Sequence, residues 1–138
     1  MTQQTTTSCS YGFERHLPRA TFDQALEKVT AALKQEGFGI LTQIDVKDTL
    51  KKKLDADFRR YIILGACNPP LAHKALTAEP QIGLLLPCNV VVQDAADGGA
   101  TVSIADPRAM FSLVNNPCLK PIVDDADQRL RRVIAALD

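Results

Sequence analysis

Residues 61–89 read YIILGACNPPLAHKALTAEPQIGLLLPCN, and this stretch organises the rest of the chain. Two apolar runs flank a short helical segment, and the dipeptide Cys-Asn occurs at residues 67–68 and again at residues 88–89. The predicted first strand covers residues 58–67 and is apolar at both parities from residue 61 onward, which is typical of a strand inside a sheet. Pro69 and Pro70 then end that strand and favour a helix, because proline tolerates the first helical turn. Antiparallel pairing of the two runs predicts that both cysteines reach neighbouring positions.

The second apolar run covers residues 82–93 and predicts another strand. Pro87 lies inside this run and has no backbone N–H to donate to a neighbouring strand. We therefore expect the strand to lie at a sheet edge at this point or to carry a bulge. The irregularity directly precedes Cys88.

Upstream of this stretch the pattern predicts a strand, a long helix and a second strand. Residues 11–17 alternate weakly between apolar and polar positions. Thr21 and Gln24 have the spacing of a capping box, and apolar residues then recur at helical spacing as far as Gly37, a residue typical of helix ends. Residues 38–46 alternate with a period of two and predict the second strand.

A short helix is expected after this second strand. Asp48 or Thr49 is placed to cap it, and the helix would extend through Leu54. The lysines at residues 51–53 are most simply its solvated face, with anion binding as the alternative.

Downstream, the pattern predicts a hairpin followed by two helices. Residues 97–99 (DGG) form a hairpin turn, and residues 100–105 return as a strand. Asp106 and Pro107 begin a short helix as cap and first helical residue. Residues 120–137 carry one apolar stripe, with acidic residues early and basic residues late, which is the order that the helix dipole favours.

This order predicts a single α+β domain over residues 11–138, preceded by a flexible tail at residues 1–10. The element order is β-α-β-β-β-β-α with short inserted helices, without repeated parallel crossovers. Such a chain is expected to form a two-layer fold, a curved antiparallel sheet with two long helices on one face.

Composition limits the partners. The 138 residues contain 16 basic and 16 acidic side chains, so neither nucleic acid nor an anionic membrane is expected as a partner. No apolar stretch reaches the roughly 20 residues of a membrane helix, and the N-terminus lacks the features of a signal peptide. We therefore predict a cytoplasmic protein whose four cysteines are reduced thiols.

Several motifs resemble one family. They are GACNP at residues 65–69, GLLLPCN at residues 83–89, the pair Asp106-Pro107, and Met110. With these motifs the chain resembles the bacterial and archaeal family known as domain of unknown function 302, from about residue 21 to the C-terminus. The resemblance implies a fold similar to half of the TATA-box-binding protein and a homodimer. It implies no established activity, and DNA binding does not follow from a shared fold.

The candidate site is a pocket lined by Cys67, Asn68, Cys88 and Asn89, with Met110 able to close it. Each asparagine side chain offers a donor and an acceptor, and thiols are soft ligands. The leading hypothesis is therefore a protein that binds a small ligand or a soft metal centre such as haem or copper. In the metal version, His73 is a possible further ligand beside the two cysteines.

Two other classes of function stay open. In the first, Cys67 or Cys88 is a low-pKa nucleophile, or the two form a redox pair, in a thiol-dependent enzyme. In the second, the motifs only build corners between strands and helices of a dimeric interaction module without chemistry. The enzyme ranks after ligand binding, because no Lys or Arg is adjacent in sequence to lower the pKa of either thiol. The module ranks third, and its support is that buried cysteines often act as small apolar packing residues.

Overall fold

The computed structural model describes residues 9–138. In chain order its elements are β1 (Gly12–Leu17), α1 (Phe22–Gln35), β2 (Gly39–Asp45), α2 (Val46–Leu54), β3 (Tyr61–Cys67), α3 (Pro69–Ala78), a 3₁₀ helix (Pro80–Leu85), β4 (Cys88–Asp94), β5 (Ala100–Ala105), α4 (Pro107–Phe111), a second 3₁₀ helix (Pro117–Leu119) and α5 (Lys120–Ala136). The strands form one antiparallel sheet in the order β1-β5-β4-β3-β2. The predicted α+β fold with an antiparallel sheet is confirmed. The likeness to half of the TATA-box-binding protein stays an expectation.

The main core lies on one face of the sheet. Alternate residues of the inner strands are buried, among them Leu64 of β3, Val90 of β4 and Val102 of β5. Helices α1 and α5 pack against each other and against this face, each with one apolar stripe that includes Val29 and Leu130. Burial of each such side chain contributes about 1.5–3 kcal/mol. The period-two and helical patterns therefore join into one hydrophobic core.

The first long helix begins as its sequence predicts. The Thr21 hydroxyl accepts from the Gln24 backbone N–H at 3.1 Å, and the Gln24 side chain accepts from the Thr21 N–H at 3.0 Å. At the other end Gly37 has φ +86°, a left-handed conformation that glycine adopts without strain. These contacts fix both ends of α1, so β2 starts directly after it.

The start of α2 differs from the prediction. Asp45, rather than Asp48 or Thr49, is the capping residue, and its carboxylate accepts from the Asp48 N–H at 2.9 Å. Strand β2 also shifts register between Ile40 and Thr42, so its side chains do not alternate evenly along its length. The bulge and the earlier cap shorten the predicted strand and lengthen the helix.

The segment around Pro87 also differs from the prediction. Residues 80–85 form a 3₁₀ helix, the Leu86–Pro87 peptide bond is cis, and β4 begins only at Cys88. Because Pro87 precedes the strand, its missing N–H removes no bond from the ladder. β4 is the middle strand of the sheet. The prediction of an edge position or of a bulge inside this strand is therefore wrong.

Residues 1–8 of the predicted tail lie outside the described residues, while Cys9 forms an isolated bridge with Gly12 at the start of β1. The C-terminal helix α5 has 17 residues and is rich in charge. None of the helices in residues 9–138 has the length and apolar character needed to cross a bilayer.

Candidate functional site

The two Cys-Asn motifs meet at one end of the sheet. Cys67 is the last residue of β3, and Cys88 is the first residue of β4. The register pairs Ala66 with Cys88, so the two cysteines are offset by one residue on adjacent strands. Both are free thiols of intermediate exposure. The chain reversal through α3 and the 3₁₀ helix therefore brings both residues to the same end of the sheet.

Both thiols line one cavity of about 300 Å³. Its walls are apolar side chains from α3 and α5, among them Leu71 and Ile122. It lies between the main core, against which Cys88 packs, and a smaller apolar cluster that contains Ala75, Phe111 and Ile122. The space exists because two separate clusters meet here without merging.

Small residues account for much of the free volume. Ala66, Ala72, Ala75, Gly83 and Ala126 all line the cavity. A larger apolar residue at any of these positions adds volume that projects toward the space or its walls. The sequence shows these residues as ordinary alanines and one glycine, so a single chain gives no signal that they share a cavity.

Cys88 is held as a neutral thiol. Burial raises its pKa from the ordinary value of 9.0 to about 11, and the nearby Cys67 contributes in the same direction. A nucleophilic or metal-binding cysteine needs its thiolate, which is scarce at neutral pH when the pKa is this high. The predicted low-pKa nucleophile is therefore wrong for Cys88, because an apolar surrounding disfavours the charged form.

Asn68 lines the cavity, but both ends of its side chain are already bonded within the fold. Its side-chain oxygen accepts from the Leu71 N–H at 3.2 Å and caps α3, and its NH₂ group donates to the Glu36 carbonyl at 3.3 Å. Arg129 donates to the same carbonyl at 3.1 Å. Asn68 is buried, with 8% of its surface exposed. It joins β3, α3 and the end of α1, so its first role is to hold the cavity wall in place.

Asn89 and Met110 lie at a second, smaller cavity of about 130 Å³. Cys88 lines this space as well, so it belongs to both cavities. Phe111 is another shared wall residue. Asn89 is exposed. The structure thus separates the predicted residues into two adjacent spaces joined by Cys88, where the sequence analysis placed all of them in one.

His73 lines neither cavity. It is exposed on α3, and its carbonyl accepts from the Thr77 hydroxyl at 2.7 Å. Within residues 9–138 there is no group of three or more His, Cys, Asp or Glu side chains arranged to hold a metal ion. The predicted metal set of Cys67, Cys88 and His73 is therefore reduced to the two cysteines.

A larger open groove of about 780 Å³ lies away from the cysteines and contains none of the predicted site residues. Arg15 lines it and donates to the carbonyls of Ile134 and Ala135 at the end of α5. Lys28 also lines it and donates to the Asp138 carbonyl at 2.9 Å. Since these cations already bond to the C-terminal segment, the groove is a weaker candidate than the cysteine cavity.

Comparisons with known proteins bear on the family alone. The chain matches the family described as "Domain of unknown function DUF302" over residues 13–137. A search of the curated proteins found no match. The crystal structure of an uncharacterised conserved DUF302 protein from Bacillus stearothermophilus is similar, with 29% sequence identity and a TM-score of 0.85. That match covers 94% of this chain and 100% of the other. Because the family match takes in nearly the whole chain, this protein belongs to the DUF302 family.

Proposed function

We propose that this protein binds a small ligand in the cavity between β3, β4, α3 and α5. The observation that carries the proposal is that Cys67, Asn68 and Cys88, which the sequence singled out, line one space of about 300 Å³. Small-molecule sites in proteins usually enclose about 300–1,000 Å³. The space is therefore at the lower end of that range, which favours a small ligand over a macrocycle such as haem.

Native mass spectrometry of the purified protein tests this proposal, with a variant that fills the space as the comparison. Gly83→Leu is the filling variant, because a Cβ at this position meets only Leu76 Cδ2, at 4.0 Å, and the backbone need not move. Ala31→Leu on α1 is the control, since Ala31 is exposed and lines neither cavity.

We expect a bound species on the wild-type protein and on Ala31→Leu, and its loss from Gly83→Leu. Equal occupancy in all three proteins would place the species elsewhere. A protein that carries no ligand from cells and takes up none from a cell extract would overturn the proposal.

A soft metal ion is the second candidate, because two thiols share the cavity and the charge of Cys67 influences Cys88. Copper(I) suits such a pair, since it is a soft ion and thiolates are its preferred ligands. Each thiol must lose its proton on binding, so the affinity is expected to rise with pH.

Competition of the protein with a copper(I) chelator, over a range of pH, tests the metal version. We expect one ion per chain, with binding lost in Cys67→Ser and in Cys88→Ser and kept in Cys118→Ser, whose cysteine is exposed and lines neither cavity. Unchanged affinity in the first two variants would exclude the cysteine pair as the site.

A thiol-dependent reaction is supported less well, because its remaining nucleophile is Cys67. The test is the rate at which iodoacetamide labels Cys67 in the folded protein. Labelling faster than that of a free thiol would support the enzyme, and slower labelling would count against it.

The homodimer is a proposal too. Its support is the edge strand β2, where Ile44, which does not line the cavity, exposes 49% of its surface, a feature typical of contact surfaces. Light scattering after size exclusion tests it. We expect a dimer mass for the wild type and a shift toward monomer in Ile44→Glu, whereas a monomer at all concentrations would refute it.

A further inference from the structure

The cavity beside the two cysteines offers no charge to a ligand. Among the residues that the structure describes, its lining has no side chain of an ionisable type besides the two cysteines. An ion taken from water into such a space loses its hydration and gains no counter-charge, which costs several kcal/mol. A charged ligand is therefore disfavoured there.

The cavity also offers few free hydrogen-bonding groups. Asn68, its amide-bearing side chain, already donates to the Glu36 carbonyl and accepts from the Leu71 N–H. Backbone groups along the lining are paired as well: Phe38 donates to Leu33 at 2.9 Å. Likewise Ala72 donates to the Asn68 carbonyl at 2.9 Å. A strongly polar ligand would lose its bonds to water without replacing them.

The apolar lining continues to the surface. Leu41 and Leu76 belong to the lining, and they expose 66% and 41% of their surface to solvent. Leu84, which lines the adjoining smaller cavity, is 81% exposed. Large apolar side chains left in water around an apolar opening are typical of sites for apolar ligands. The entrance therefore has the same chemistry as the interior.

From these observations we infer that the ligand of this cavity is an uncharged, hydrocarbon-rich molecule. Its size is on the order of ten non-hydrogen atoms, counting for each atom the roughly 30 Å³ that a water molecule occupies in the liquid. The inference rests on the proposed function, since it names the class of ligand for the same cavity. Cys88 fits this class, because a buried neutral cysteine behaves as a small apolar residue.

Two probes of matched shape, one neutral and one positively charged, test the inference on the full chain. They are n-butylbenzene, which is neutral, and 3-phenylpropylammonium, in which a cationic nitrogen replaces the terminal carbon. Binding is followed by NMR shifts of the backbone amides of Ala66, Ala75 and Ala126, which surround the cavity.

We expect n-butylbenzene to bind at least about tenfold more tightly than the cation, which corresponds to roughly 1.4 kcal/mol. Gly83→Leu should abolish these shifts, and Ala31→Leu should keep them. A cation that binds the cavity as well as the neutral probe would overturn the inferred class while leaving the cavity as a binding site. A charged native ligand, identified in the cavity by mass spectrometry, would overturn the class in the same way. If neither probe binds and no native ligand is found, both the class and the proposed function fail.

Discussion

Gly65 and Pro87 pack so closely that a methyl group at residue 65 would stand 2.8 Å from Pro87 Cγ. The same methyl group would overlap Thr42 Oγ1, on the other side of β3. Gly65 of β3 thus lies between Thr42 of β2 and Pro87, the residue directly before β4, and this contact fixes the position of Pro87. The glycine is required by space, since its φ is not in the left-handed region.

Gly65→Ala is therefore expected to destabilise the fold by about 1–3 kcal/mol, the usual cost of overpacking. Chemical denaturation measures the change. Gly39→Ala in β2 is the control, because a Cβ there meets nothing within 4 Å, and it should leave the stability nearly unchanged. Equal stability of Gly65→Ala and the wild type would show that Thr42 and Pro87 can move apart freely.

The sequence predicted five strands and the return of the chain to one end of the sheet because both depend on local signals. The proline corner at residue 69 and the apolar parity of residues 61–67 are legible in one short segment. The contribution of Ile122 and Ala126 to the cavity wall could not be predicted, since these residues lie far along the chain from Cys67 and a single sequence does not show such long-range contacts. Residues 82–85, which belong to the 3₁₀ helix, were predicted as the start of a strand, because a short apolar run has no period that separates the two.

The sequence around Asn68 carries a helix-capping signal, but the sequence analysis interpreted this residue as a ligand-binding one. An asparagine immediately before a helix-starting proline is a typical capping residue, and the structure uses it so. The further bond to the Glu36 carbonyl depends on where α1 ends in space, which no local pattern gives. The sequence therefore identified an important residue and assigned it a ligand-binding role for which the fold supplies a structural alternative.

Variants of Asn68 separate these two roles. Asn68→Ala removes both the cap of α3 and the bond to Glu36, and we expect a loss of about 1–3 kcal/mol in the free energy of unfolding. Asn68→Ser keeps a capping hydroxyl and loses only the bond to Glu36, so it should be the milder change. Denaturant titration measures both. A serine variant as damaged as the alanine variant would show that the cap contributes little.

The raised pKa of Cys88 predicts a loss of stability at high pH. The folded protein holds the thiol proton up to about pH 11, whereas the unfolded chain releases it near 9.0. Because the folded-state pKa is the higher one, the contribution is fully present below pH 9 and declines as the pH rises toward 11. The difference in unfolding free energy between wild type and Cys88→Ala should shrink over this window. A constant difference would contradict the burial of a neutral thiol, and Cys118→Ala controls for the other titrating groups.

Arg108 is expected to hold α4 over the cavities. Its guanidinium pairs with Asp124 and Asp127 of α5, each at 3.3 Å, and Asp127 is almost fully buried. Phe111, at the other end of α4, forms a wall of both cavities that Cys88 lines. Arg108→Ala should loosen α4 and raise the rate at which a small thiol reagent labels Cys88 several-fold, while Cys118, which is exposed in the wild type, is labelled at an unchanged rate. Lys120→Ala is the control, since it removes a different cation from Asp124 and leaves the link between α4 and α5 intact. If Cys88 were labelled no faster in Arg108→Ala than in this control, the packing of Phe111 alone would suffice to close the cavity.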